Sequence, residues 1–248
     1  MKIFKKSIIL KSIIFLIKSK YITKYNKKIL QRGACLSNDA IKILYPNDKI
    51  KNFQKSRVDY LNLQFINRKI KPKFFDLLLI RSHLYNLYIE QSSDFWKEII
   101  YKEIFIMDSY SELTDQLFIN QVDNNIQFCA NYSDVVGKFK TKYFCKGLLE
   151  SNQILENYDM FFHNIRKVNK KIKLIYIFFP ILFETRDKFI NQNKSIEKSI
   201  SKLALIHNIN IITIPDSLLS FKREDTFPYH YNKDVYNYVA HKIQNLIC

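Results

Sequence analysis

The chain has 248 residues, 47% of them hydrophobic, with 40 Lys plus Arg against 23 Asp plus Glu and hence a net charge of +17. That hydrophobic fraction excludes wholesale disorder, and the length suits a single domain. Only three Gly and five Pro argue against a Gly-rich phosphate loop or an all-β fold, and four dispersed cysteines without a C-x-x-C pair give neither a disulfide framework nor a metal site.

Charge is concentrated at the start. Residues 1–38 hold nine Lys, one Arg and no acid, so +10 precedes Asp39. The apolar stretch 8–17, IILKSIIFLI, is too short and interrupted to span a bilayer. Lys18, Lys20 and Tyr21 follow it in place of a cleavage site. A cytoplasmic protein is expected, with residues 1–27 forming a basic amphipathic helix. That helix either lies on the anionic inner face of the membrane or packs its stripe on the domain. The remaining lysine excess also reads as a solvated surface. No nucleic-acid partner is expected, because no nucleic-acid-binding motif is present.

From residue 28 to 248 short apolar runs alternate with helical stretches. Strands are predicted at 28–31, 75–80, 104–107, 174–179 and 210–214, each apolar on consecutive positions as in a sheet buried on both faces. Helices are predicted at 38–44, 96–102, a long stretch from about 134 to 169, 186–207 and 234–247. This alternation specifies an α/β domain of three layers, α/β/α, with a mostly parallel five-stranded sheet. Ligands of such a sheet bind at the carboxyl ends of the strands.

Two segments carry candidate chemistry. After the first strand comes Gly33-Ala34-Cys35-Leu36-Ser37-Asn38-Asp39. A thiol in a strand-to-helix turn projects over the sheet, and the helix amino terminus would lower its pKa; a small buried hydrophobe is the plainer alternative for Cys35. Before the last helix comes Asp225-Thr226-Phe227-Pro228-Tyr229-His230-Tyr231, where His230 is either a general base folded over the first turn or a surface histidine. At the end of the third predicted strand, Asp108, Ser109, Tyr110 and Glu112 either bind substrate or cap a helix as a capping box does. Arg57 is either an anion binder or a salt-bridge partner. Arg81-Ser82-His83 forms a similar cluster and offers a second histidine.

The strand-G-x-[SC]-x-S start, the histidine before the carboxyl-terminal helix and the stretches NIRKVNKKIKLIYIFFP and NIITIP resemble the SGNH/GDSL hydrolase superfamily, whose fold is flavodoxin-like, over roughly residues 28–247. More narrowly, GACLSND and PYHYNKDVYNYVAHKI resemble the G-S-C-V-S-R-D start and P-F-H-Y ending of an SGNH-like group associated with bacterial surface-polysaccharide (capsule) biosynthesis. The resemblance implies an esterase or O-acyltransferase acting on a saccharide or polysaccharide, with no resident cofactor beyond an acyl donor such as acetyl-CoA. It implies Cys35 as nucleophile, with Ser37 in reserve, and His230 as base. The orienting acid would be Asp225, with Asp216 and Asp234 as competitors. Leu36, Ser37, Ser109, Asp108 and Arg57 would serve the oxyanion or the substrate. The sequence departs from the superfamily in four places: Cys stands for Ser, Phe227 stands where an Asp is usual, the glycine of the second block is missing because Gly137 and Gly147 lie elsewhere in the chain, and the G-x-N-D block is replaced by Met107-Asp108-Ser109-Tyr110-Ser111-Glu112. A catalytically degenerate member that binds a glycan or a protein partner is the alternative these departures leave open.

Overall fold

Two inner strands of the main sheet, residues 104–108 and 173–177, are runs of mostly apolar residues covered on both faces. The computed structural model describes residues 25–73, 76–219 and 229–247; most of the expected amino-terminal helix, Asp225 and Phe227 lie outside the described residues. β1 (Tyr25–Arg32) is fully buried from Ile29 to Arg32 and enters α1 (Cys35–Leu44) after two residues. β2 (Lys49–Asn52) is a half-exposed edge strand, followed by α2 (Val58–Ile66) and the short α3 (Phe95–Ile99). β3 (Ile104–Asp108) is buried at every position and leads into the one-turn α4 (Tyr110–Thr114).

Between α4 and the next long helix lie three antiparallel strands, β4 (Asp115–Asn120), β5 (Gln127–Asn131) and β6 (Tyr143–Gly147), in the order β5-β4-β6. The chain then returns through α5 (Ile154–Val168), β7 (Lys173–Ile177), α6 (Asp187–His207), β8 (Ile209–Ile212) and α7 (Lys233–Ile247).

The main sheet has the order β2-β1-β3-β7-β8, every pair parallel. α1 and α7 pack together, and α2, α3, α5 and α6 form the other group, which gives the expected α/β/α layering. The connection order reverses between β1 and β3, and the gap above that reversal is where doubly wound sheets bind ligands. Beneath it the core is aromatic: Phe95 meets Phe53, Trp96, Phe105 and Phe161 at ring separations of 5.2, 5.0, 5.5 and 5.7 Å.

One predicted element does not form and another forms only in its second half. The run 75–80 supplies a 3-10 turn at Leu77–Leu79 and a single antiparallel bridge from Ile80 to Val135. Leu77 and Ile80 are buried against the small sheet, so their hydrophobicity serves a satellite core. The helix expected from about 134 to 169 is helical only over Ile154–Val168, and its first half holds β6 and 3-10 turns. The small sheet has its own core around Phe118 and Phe128, stacked at 5.0 Å.

Candidate active site

The turn between β1 and α1 is held from two sides. Asp108, at the end of β3, accepts hydrogen bonds from the Ala34 N–H at 3.0 Å and the Ser37 hydroxyl at 2.7 Å through one carboxylate oxygen, and from the Tyr110 N–H at 3.1 Å through the other. Asn52, at the end of β2, grips Gly33 twice: its Oδ1 accepts from the Gly33 N–H at 3.1 Å and its amide donates to the Gly33 carbonyl at 2.9 Å. A Cβ at Gly33 would collide with the Ser37 hydroxyl and sit 2.5 Å from Asp108 Oδ2. Only glycine lets the two strand ends close on this turn.

Behind the turn lies a second buried network. Arg32, the last residue of β1, is fully buried and paired with Glu112. It also donates to the carbonyls of Ser56 at 2.6 Å and Asp108 at 3.4 Å. Glu112 accepts from the Val58 N–H at 2.9 Å and the Tyr158 hydroxyl at 2.8 Å, and Tyr158 meets Tyr176 at 2.8 Å. With hydrogen bonds to both oxygens of the acid, this buried pair has the satisfaction that makes such pairs tolerable.

Cys35 sits at the first position of α1, partly exposed. His230 approaches from the other end of the chain, with Cys35 Sγ 3.9 Å from His230 Nε2. The flanking tyrosines fix His230. The Tyr229 hydroxyl donates to Glu184, the Tyr231 hydroxyl donates to the Pro180 carbonyl at 2.6 Å, and both rings are buried against Phe179. The Tyr110 ring completes this wall, 5.7 Å from Tyr229. Glu184 in turn holds Arg186 through two side-chain bonds at 2.7 Å, and the Arg186 hydrogen bond draws its carboxyl down to about 2, with Tyr229 adding to the effect.

The electrostatics of the thiol differ from the expectation. Burial pushes the Cys35 thiol up, and the negative charges of Asp39 and Asp108 push it further. Desolvation and two carboxylates thus outweigh the helix amino terminus, and the resting group is a thiol. A thiol at this distance suits proton transfer to imidazole during attack, as a serine would give its proton, more than a standing thiolate.

The other expected site residues fall into distinct places. Ser37 is buried with its hydroxyl on Asp108 and accepting from Gln31 at 3.1 Å, so it cannot replace Cys35. Asp108 is buried and ties the turn together, a structural part in place of the expected substrate contact. Arg57 is also buried: it bonds Asp59 with two nitrogens and donates to the carbonyls of Asp115 at 3.2 Å and Gly147 at 2.5 Å. This corrects its reading as an anion binder, because its donors fasten the small sheet to the main domain. Leu36 has its side chain in the core, while its N–H belongs to the first turn of α1, where intrahelical partners are absent.

Ser109 is the residue before α4, but its hydroxyl makes no capping bond and is a buried group without a hydrogen-bond partner. Asp108 supplies the cap instead, and Glu112 is turned to Arg32, so no capping box forms. Asp234 is exposed on the first turn of α7. His83 is exposed in a 3-10 turn tied to the Asp134 carbonyl through Arg81. Among the described residues no three His, Cys, Asp or Glu side chains gather as a metal would require.

Sequence reading does not single out Asn52, Arg32 or Glu184. The edge strand KIKN is polar and short, so nothing in it marks Asn52. Tyr231, next to His230, was visible as an aromatic flank. The sequence matches no family model and no curated protein.

Proposed function

We propose that this protein is an SGNH-like acyl-transfer enzyme, an esterase or O-acyltransferase for a bacterial surface polysaccharide or its precursor. The observation that carries the reading is the approach of Cys35 Sγ to His230 Nε2, 3.9 Å apart, above the strand-order reversal between β1 and β3. In the first half-reaction the thiol proton passes to His230 as Sγ bonds the acyl carbon of a thioester or ester donor. The tetrahedral intermediate collapses with the donor's sulfur or oxygen leaving, and His230 returns the proton to it. In the second half a saccharide hydroxyl or water gives its proton to His230 and takes the acyl group, and the departing Cys35 sulfur recovers the proton. The Leu36 N–H and the Ser109 hydroxyl are the donors offered to the oxyanion. Asp225 is retained as the proposed orienting acid.

The test is acyl-enzyme trapping. Protein incubated with p-nitrophenyl acetate or acetyl-CoA is quenched in acid and analysed by intact mass and peptide mapping. The expected result is a thioester on Cys35, absent in Cys35→Ala and formed 10²–10⁴-fold more slowly in His230→Gln. Acylation that ignores His230, or that marks Cys129 and Cys145 equally, overturns the reading. One observation favours a second reading, a glycan- or partner-binding protein on the same frame: the raised thiol is a poor resting nucleophile.

A further inference from the structure

The edge of the main sheet opposite Cys35 is where the strands begin and the long helices end. Hydrogen bonds weld its loops into one surface. Asn169 donates to the carbonyls of Ile99, Ile100 and Lys102 at 2.9, 3.3 and 2.7 Å, which sets the α5–β7 loop beside the end of α3. Arg166 donates to the carbonyls of Ile172, His207 and Asn208 at 2.7, 3.1 and 3.2 Å, which sets the same loop beside the end of α6. Three large apolar side chains stand out from this surface: Tyr101 is 81%, Ile206 71% and Leu205 94% exposed. Exposed lysines lie among them, including Lys167, Lys170, Lys171 and Lys202. Two acids on or beside the edge are paired, Glu103 with Lys28 at 3.3 Å and Asp159 with His207 at 2.6 Å.

The chain ahead of the fold also arrives here. β1 begins at Tyr25, so residues 1–24, with seven lysines, no acid and the apolar stretch 8–17, join the domain at this edge. Cationic groups interleaved with protruding aliphatic and aromatic side chains match an anionic bilayer, whose headgroups attract the lysines while its interface accepts the apolar tips. Nucleic acid would use the lysines but leave Leu205 and Ile206 without a partner. We infer that this edge docks the protein on an anionic membrane surface. The dock is independent of any chemistry at Cys35.

The full-length chain, pelleted with sucrose-loaded vesicles, tests this. It binds vesicles of phosphatidylcholine with phosphatidylglycerol and not phosphatidylcholine alone, and added salt weakens the binding. The double variant Lys170→Glu, Lys171→Glu binds at least ~10-fold more weakly. The double variant Leu205→Ser, Ile206→Ser also binds more weakly. All four positions are exposed, and unchanged thermal melting confirms that both variants fold. The inference is overturned if the wild type fails to pellet with anionic vesicles. It is equally overturned if neither double variant weakens binding, which assigns the contact to another part of the chain. Tighter capture of polyuridylic acid than of vesicles at the same salt, lost in the lysine variant, assigns the edge to nucleic acid and overturns it as well.

Discussion

At the scale of single residues, the thiol of Cys35 is raised first by burial and then by nearby charges, two of which sit on its own helix. Asp39 lies one turn along α1 and raises the thiol, while Lys42, 3.4 Å from Asp39, lowers it. Removing a negative neighbour favours the thiolate, and removing a positive one disfavours it. Asp39→Asn therefore moves the pH midpoint of Cys35 alkylation down, and Lys42→Met moves it up. Rates of iodoacetamide labelling across pH, read by peptide mass spectrometry, check both directions. Two shifts of the same sign would mean that the variants act through altered packing of α1 and not through charge. Since Asp39 is half-buried and Lys42 exposed, neither substitution opens a cavity.

At the scale of elements, the segment carrying His230 is braced by a side chain and a backbone carbonyl from the loop after β7. Tyr229 is tied to Glu184 and Tyr231 to the Pro180 carbonyl, so the histidine is held by its neighbours on both sides. The Glu184 carboxyl is drawn from 4.5 to about 2. A depressed folded-state value means that its contribution is present above the unfolded pKa of 4.5 and is lost as pH falls through 2. Glu184→Gln is therefore destabilised relative to wild type by a constant amount from pH 7 to about 5, and the gap closes towards pH 2. With Arg186 more than half exposed, the gap is roughly 2 kcal/mol. Urea midpoints of both proteins across this range measure it, and a gap that persists unchanged at pH 2 would show that the carboxylate charge is not its source.

The same scale explains what was legible in the sequence. β3 and β7 are apolar on successive positions because both faces are covered, β1 and β8 hold shorter apolar runs at Ile29–Leu30 and Ile211–Ile212, and α6 and α7 are amphipathic and long. These six elements, and a turn between β1 and α1, can be read from the residue pattern. β2 is a polar edge strand, and β4, β5 and β6 are short antiparallel strands within a region of mixed composition, so no periodicity separates them from helix. The run 75–80 misleads because burial in a satellite core looks like burial in a strand. Cys35 and His230 were found from their positions at the two ends of the fold, but Asn52, Arg32 and Glu184 act through contacts that only tertiary structure brings together. The expected lowering of the thiol is overturned first by burial, which only the tertiary fold creates, and then by Asp39, near in sequence, and Asp108, distant in sequence and adjacent in space.

At the scale of the whole molecule, the candidate pair and the cationic edge lie at opposite ends of the parallel strands. β1 has eight residues, and at about 3.3 Å per residue its ends are roughly 25 Å apart. A protein docked by the edge where β1 begins presents Cys35 away from the headgroups, towards acyl donors and acceptors in solution. Vesicle-bound protein should therefore react with a charged, membrane-impermeant maleimide at Cys35 within about twofold of the rate of unbound protein, whereas a probe placed at Leu205→Cys should be protected on binding. Both rates come from peptide mapping of pelleted and supernatant fractions. Protection of Cys35 with exposure of position 205 would reverse the orientation, bringing the thiol to the bilayer and making a lipid-linked saccharide the natural acceptor. The opposite placement of site and edge in the sheet favours the first outcome, because β1, hydrogen-bonded in register to β3, sets the two ends apart.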